Sequence, residues 1–459
     1  MKKYIGNKAF YKMVLMVVVP IIIQNGITNF VGMLDNIMVG RIGTEQMSGV
    51  AITNQLMFVF NICVFGAVSG AGIFTAQFYG CENQKGIRDT FRFKLIACMT
   101  ICALGFLVFG FWGEDLIRLY LHGENAEGSL AATLAYAKDY LWIMLIGLIP
   151  FAIVQTYAGT LRECGETMLP MKAGIFAVLV NLLFNYILIF GKFGAPALGV
   201  RGAAIATVIS RFGELLVVII WTHKHTQRFP FIVGAYHSMK IPGTLVLNIL
   251  KMGMPLLVNE ALWSAGMAVM MQCYSIRGID VVAGMNISTT VSNLFNAVFI
   301  SMGNAVAIII GQQLGAGRME EAKDSSWKLI FFSIASCIVV GMMLAAISPF
   351  FPRLYNTSEE VRHLATWFIC VSALCMPLYA CTNATYFTLR SGGKTVITFF
   401  FDSGFVWAVS IPAAFLLSRY TQMPIVPLYL VCQALELVKS IIGLVLVHMG
   451  VWIRNIVER

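Results

Sequence analysis

Apolar residues in this chain run on for twenty or more positions at a stretch, again and again, and a soluble core could not hold them. The hydrocarbon core of a bilayer is about 30 Å thick, so a helix rising 1.5 Å per residue needs about 20 apolar residues to cross it. Twelve segments qualify: 13–38, 48–75, 94–112, 136–158, 171–191, 200–221, 248–273, 283–312, 328–350, 364–388, 396–417 and 425–450. Lipid offers the backbone no outside partner, so these segments must be helices; barrel strands would be shorter and would alternate. Composition agrees, with 58% hydrophobic and 12% charged residues in 459, against about 25% charged in a soluble domain. The stretch from Met13 to Met38 is too long for a signal-peptide h-region, and it reads as the first span.

Lys and Arg in the loops set the expected orientation. With the N-terminus inside, the cytoplasmic loops hold 21, among them Lys2, Lys3, Arg88, Arg92 and Arg459, and the outer loops hold 9. Both termini are therefore expected in the cytoplasm of a multi-pass cell-membrane protein. The net charge of +10 is spread between apolar runs rather than along one stripe, which argues against nucleic acid as a partner. Eleven cysteines form no CxxC pair and lie mostly in apolar segments, as small hydrophobes.

Shifted by 235 positions, the chain matches itself. Pro20 falls on Pro255, Gly49 on Gly284, Phe60-Asn61 on Phe295-Asn296, Gln77 on Gln312 and Gly80 on Gly315. At an offset of 228, Leu161-Arg162-x-x-Gly165-x-Thr167 matches Leu389-Arg390-x-x-Gly393-x-Thr395. Six spans per copy is an even number, so both copies enter from one side. The expectation is two pseudo-symmetric parallel six-helix lobes, 1–221 and 248–459, joined by a cytoplasmic linker at 222–247 rich in polar residues, Pro and Gly.

An enzyme or an ATP-driven pump is not expected. Gly393-Lys394-Thr395 lacks the glycine five positions earlier that a phosphate loop needs, since Thr388 stands there. The six histidines, His122 among them, are scattered at loops and span ends. No cofactor is implied, and a channel, a different class, would want a repeated filter sequence.

Ionisable groups within spans are costly and are functional candidates by default. Asp35, Glu214, Glu260, Asp402 and Glu436 qualify. Glu436 with Lys439, and Glu214 with Arg211, are i,i+3 pairs that can neutralise themselves on one helix face. Asp35 and Glu260 have no basic neighbour within a turn. Asn25 lies on an earlier turn of the first span, and the repeat places it opposite Glu260. A carboxylate without a counter-charge in low dielectric can take up and release a proton or accept Na+. Asp35 is thus the candidate coupling-ion site, and Glu260 a candidate substrate or ion ligand; either could instead be an acid hydrogen-bonded to a neighbouring helix. Asp402 could cap an unwound segment near Pro412 or face a cavity. Asn181 and Asn185 share a face at i,i+4 with Thr207 within reach, and their oxygens could ligate a hard monovalent cation or tie helices together. Pro20, Pro150, Pro255, Pro377 and Pro412 break the helix ladder and permit kinks.

Several stretches resemble the multidrug and toxic compound extrusion (MATE) family: Leu34-Asp35-Asn36-Ile37-Met38-Val39-Gly40-Arg41, Gly311-Gln312-Gln313-Leu314-Gly315, Leu161-Arg162 through Pro170, and Asn181-Leu-Leu-Phe-Asn185 continuing to Thr207. The resemblance covers nearly the whole chain. It implies twelve helices in two lobes, and export of organic, often cationic, compounds in exchange for H+ or Na+. It also maps an N-terminal-lobe ion site onto Asp35, Asn181, Asn185 and Thr207. Many relatives carry aspartate where this chain has Asn185, which weakens the case for Na+ and favours H+. One branch has an aspartate near the position of Tyr379 and a glutamate a turn beyond Glu260, so a Na+ site in the C-terminal lobe is not expected here. Asn25, Tyr379, Glu260 and Asp402 remain the cavity or substrate candidates, and no metal is expected beyond a Na+ at Asp35. The expected activity is export of small organic cations across the plasma membrane by a monomeric antiporter. The alternative is a flippase for lipid-linked oligosaccharides in the same wider superfamily, against which the excess of intramembrane acids argues.

Overall fold

The computed structural model describes residues 5–121, 127–355 and 357–457, so Lys2, Lys3, His122 and Arg459 lie outside the described residues. The described chain is helical throughout: α1 Lys8–Gly40, α2 Thr44–Gly80, α3 Gln84–Arg118, α4 Glu127–Ile146, α5 Leu148–Glu163, α6 Met168–Phe190, α7 Val200–Lys224, α8 Gly243–Ser275, α9 Ile279–Gly315, α10 Met319–Ile347, α11 Glu359–Ser391, α12 Thr395–Tyr420 and α13 Ile425–His448. Eleven of these are each long and apolar enough to cross a membrane. The twelfth span is the pair α4 and α5, bent by 47° where they meet.

Local chemistry explains where the helices deform. Proline lacks an N–H, and its ring clashes with the carbonyl four residues back. For Pro150 that carbonyl belongs to Ile146, the last residue of α4. The span expected at 136–158 is broken there. Pro412 acts differently. The eleven residues before α12's last ten carry two π-helical turns, Phe400–Gly404 and Val406–Ser410, the kind of local adjustment that re-satisfies backbone freed by a proline in lipid. Asp402 lies in the first of these turns, within a helix that stays wound.

The chain divides into two compact units. The N-terminal unit comprises Ile23–Thr75 and Gln84–Ile249. In it α3 packs on α4 and α5, and α7 on α4, α5 and α6. Its core gathers Phe60, Val64, Cys98, Cys102, Leu141, Leu148 and Ala204. Thr53 Oγ1 donates to the Ala137 carbonyl at 3.1 Å, tying α2 to α4. Lys94 is fully buried, pairs with Glu163 and donates to Thr160 Oγ1 at 3.1 Å.

The segment 222–247 groups with this unit and is docked along α3. Arg92 donates to the carbonyls of Gly234 and Ala235, both at 2.8 Å, and Arg88 to that of Phe231 at 3.0 Å. Phe91 contacts Tyr157, Phe231 and Tyr236.

The C-terminal unit comprises Met1–Ile22, Ala76–Asn83 and Leu250–Arg459. Here α11 is central, packing on α9, α10 and α13. Cys337, Ile369, Ala373 and Met376 form one part of the core, and Tyr274, Phe368, Leu428 and Tyr429 another. The end of α2 belongs to this unit. Gln77 Nε2 donates to the carbonyl of Ser391 at 2.9 Å and to that of Arg454 at 3.3 Å, while its Oε1 accepts from Ile456 N at 2.9 Å. Gly80 and Gly315, equivalent in the repeat, face each other's helices: a Cβ on Gly80 would meet the Gln312 carbonyl, and one on Gly315 the Gln77 carbonyl.

The second repeated motif is a helix stop. Gly165 and Gly393 both adopt positive φ, 81° and 76°. In each copy the next residue's N–H reaches back to the leucine carbonyl, Glu166 to Leu161 at 2.8 Å and Lys394 to Leu389 at 3.4 Å. This is the glycine-dependent termination expected for a left-handed residue after a helix, and it identifies Gly393-Lys394-Thr395 as a turn. Substituting Gly315→Val should drive a side chain into the Gln77 backbone and cost about 1–3 kcal/mol. A thermal-unfolding scan of the purified protein should show a lowered midpoint for it. Gly110→Ala, where nothing lies within 4 Å, should leave the midpoint within about a degree or two of wild type, as for a surface change.

Candidate functional sites

In the N-terminal unit, four sequence candidates meet at one point. Asn181 and Asn185 stand one turn apart on α6 and are both buried. Asn185 Nδ2 donates to Asp35 Oδ1 of α1 at 2.7 Å. Asn181 lies 3.3 Å from Thr207 Oγ1 of α7. With its amide nitrogen toward Asp35, Asn181 Nδ2 donates to both Asp35 oxygens, at 3.0 and 3.1 Å, and its Oδ1 accepts from Thr207 Oγ1 at 3.3 Å. Amide donors from one face of α6 thus converge on the Asp35 carboxyl.

The donor set, a carboxylate with amide and hydroxyl oxygens, also suits a hard monovalent cation. Tyr140 of α4, buried at 6% exposure, is in electrostatic contact with Asp35 and Arg211. The i,i+3 pairing expected for Arg211 is modified: its Nη1 donates to the Gly147 carbonyl at 3.0 Å, at the break between α4 and α5, and its guanidinium lies over Phe151. Glu214 interacts electrostatically with Arg162 as well as Arg211. Asn25 is half-buried on α1, in the same unit.

In the C-terminal unit, the structure changes the pairing expected from sequence. Lys439 Nζ is 2.6 Å from Asp402 Oδ1, across from α13 to α12, and 3.7 Å from Glu436 Oε1 on its own helix. The interhelical contact is the shorter one. Asn259 of α8 is 1% exposed; its Nδ2 donates to Asp402 Oδ2 at 3.0 Å, and its Oδ1 accepts from Ser403 N at 3.2 Å and Oγ at 2.8 Å. Thr382 of α11 donates to Glu436 Oε2 at 3.1 Å. Glu260 follows Asn259 on α8 and interacts electrostatically with Arg390 and Asp402. Tyr379 donates to Gln433 Oε1 at 2.8 Å and lies in electrostatic contact with Glu436. Asp402, Glu260 and Tyr379 thus fall in one polar region of this unit. Asn259, Tyr140 and the Lys439–Asp402 pair are additions that spacing along one helix does not reveal. Asn259 was open to detection as an amide in mid-span beside an acid.

Twelve spans in two units, with buried polar clusters inside both, define a multi-pass membrane transporter. More particularly, the chain belongs to the MatE family, whose model matches residues 20–187 and 255–416. The probable multidrug resistance protein NorM of Thermotoga maritima is 25% identical over 437 residues, covering 94% of this chain and 91% of that protein. The probable multidrug resistance protein YoeA of Bacillus subtilis is 25% identical over 417 residues, covering 89% of this chain and 87% of its own. Among solved structures, an outward-facing multidrug resistance MATE family transporter of the MOP superfamily gives a TM-score of 0.86 at 16% identity, over 98% of this chain and 97% of that one. A MOP superfamily transporter from Pyrococcus furiosus gives 0.84 at 17%, with the same coverage. Likeness at these identities establishes the fold, and the all-helical, twelve-span architecture expected from sequence holds.

Asn259→Ala should leave Asp402 and Ser403 without their shared amide. Loss of buried polar partners costs about 1–3 kcal/mol, so the variant should unfold at a clearly lower temperature or denaturant concentration than wild type in detergent. Equal stability would mean that the cluster does not depend on Asn259.

Proposed function

We propose that this protein exports organic, mainly cationic, compounds from the cell in exchange for a cation, H+ or Na+, bound at Asp35, Asn181, Asn185 and Thr207. The observation that carries the reading is the meeting of Asp35, inside a span, with neutral amides of α6 rather than with a counter-charge. Membership of the MatE family and relatives named as multidrug resistance proteins support the efflux half.

In this reading Asp35 loads its cation from outside. The change of charge on α1 then shifts the balance between two arrangements of the spans, and cargo leaves outward. Coupling of this kind needs only that the ion bind the two arrangements with different affinity. The protein works as a monomer in the plasma membrane with both termini cytoplasmic, where its basic loops belong. It needs no cofactor. Cargo meets the half-buried groups of the spans, with Glu260, Asp402, Asn25 and Tyr379 as the polar contacts.

Efflux of a fluorescent organic cation from proteoliposomes, with pH and Na+ gradients imposed separately, tests the reading. The wild type should move the dye only under one of the two gradients. Asp35→Asn should reduce gradient-driven efflux at least tenfold while the protein still inserts and purifies as a single species. Undiminished efflux by that variant would exclude Asp35 as the coupling group. Asn181→Leu, which removes an amide facing Asp35, should show a similar loss.

A further inference from the structure

The C-terminal unit carries a lysine ammonium that the function above does not use. Lys439 Nζ sits between two carboxylates on different helices, and its side chain is 4% exposed while those of Asp402 and Glu436 are each 19% exposed. The ammonium also lies 5.7 Å from the centre of the Phe401 ring. Thr382 and Ser440 bring two hydroxyls, 3.0 Å apart, to the Glu436 side, and Asn259 brings an amide to the Asp402 side. Without the ammonium, what remains is two carboxylates, Asp402 and Glu436, with hydroxyl and amide groups beside them and no charge between them. Glu260 interacts electrostatically with Asp402 and with Arg390.

We propose that Lys439 is a tethered counter-cation, whose ammonium fills the place between Asp402 and Glu436 that a free monovalent cation would otherwise occupy. A lysine ammonium is a compact point charge with three donors on a flexible stem, close in size and charge to the alkali ions it replaces. Because Glu436 and Lys439 are on one helix, the ammonium cannot exchange with solvent as an ion does. Its occupancy is independent of any ion gradient. The Asp402–Glu436 pair therefore keeps one counter-cation at all times, in contrast to the N-terminal unit, where Asp35 is met by neutral amides. The lysine also selects against free cations in its own unit, since any competitor must first displace a charge bound at 2.6 Å.

The proposal is independent of what is transported and is tested on purified protein without transport. Asp35→Asn is used as the background, so that a cation response cannot come from the N-terminal site. Thermal unfolding is followed in nanodiscs at equal ionic strength in lithium, sodium, potassium or methylammonium chloride, and in N-methyl-D-glucamine chloride as the cation too large to enter. The background protein should unfold at one temperature in all five. Lys439→Met should unfold earlier in N-methyl-D-glucamine, and at least one small cation should restore several degrees in a saturable manner. Should Lys439→Met fail to assemble, Lys439→Met/Glu436→Gln keeps the local net charge of the native cluster and should respond to small cations in the same way. Lys439→Met/Asp402→Asn/Glu436→Gln, with no acids left to bind, should fold and be indifferent to cation identity. A lysine-free variant whose stability is the same in every salt would overturn the proposal. So would a response that persists in the triple variant.

Discussion

A polar group carried into the bilayer is costly unless it finds a partner within the protein, because hydrocarbon offers none. That requirement organises the molecule at every scale. It makes the backbone helical. At Gly147, where α4 and α5 part, it directs Arg211 to a carbonyl at the break. It sets Lys94 against Glu163 and Thr160 inside the N-terminal unit. In the C-terminal unit it brings an acid from α12 onto a lysine from α13, through a stretch of helix loosened by Pro412.

The same requirement is met differently in the two units, and the difference bears on function. Around Asp35 the partners are neutral amides. Around Asp402 the partner is a fixed opposite charge. Replacing a buried pair by apolar residues is often harmless, whereas removing one member leaves a stranded charge. The duplicated architecture thus houses one acid met by amides and one met by an ammonium, and the repeat constrains neither: Asn25 stands where the other copy has Glu260.

The twelve spans, the duplication and the turn at both Leu-Arg-x-x-Gly motifs were legible from sequence, because each is a local pattern of apolar length or glycine position. The gathering of Asp35, Asn181, Asn185 and Thr207 was legible too, in part from helical spacing and in part from family resemblance. The partner of Lys439 was not. Spacing along one helix pointed to Glu436, but Asp402, in a π-helical turn of another helix, lies closer. Nor was the docking of 222–247 legible: Arg88 and Arg92 read as orientation signals in a basic loop, and in the structure they also bind the carbonyls of Phe231, Gly234 and Ala235. Long-range pairings of this kind depend on tertiary packing that no window of sequence contains.

The hydrogen bonds of Gln77 have a consequence for how the protein is made. Their partners lie 314, 377 and 379 residues further along the chain. At about 5–20 residues per second, a ribosome needs roughly 20 to 75 seconds after Gln77 to supply the last of them. Until Ser391 is made, 314 residues on, the Gln77 side chain has none of these partners. The end of α2 thus waits on segments made hundreds of residues after it, and a chain truncated just before Trp452 would lack the contacts of Arg454 and Ile456 with Gln77.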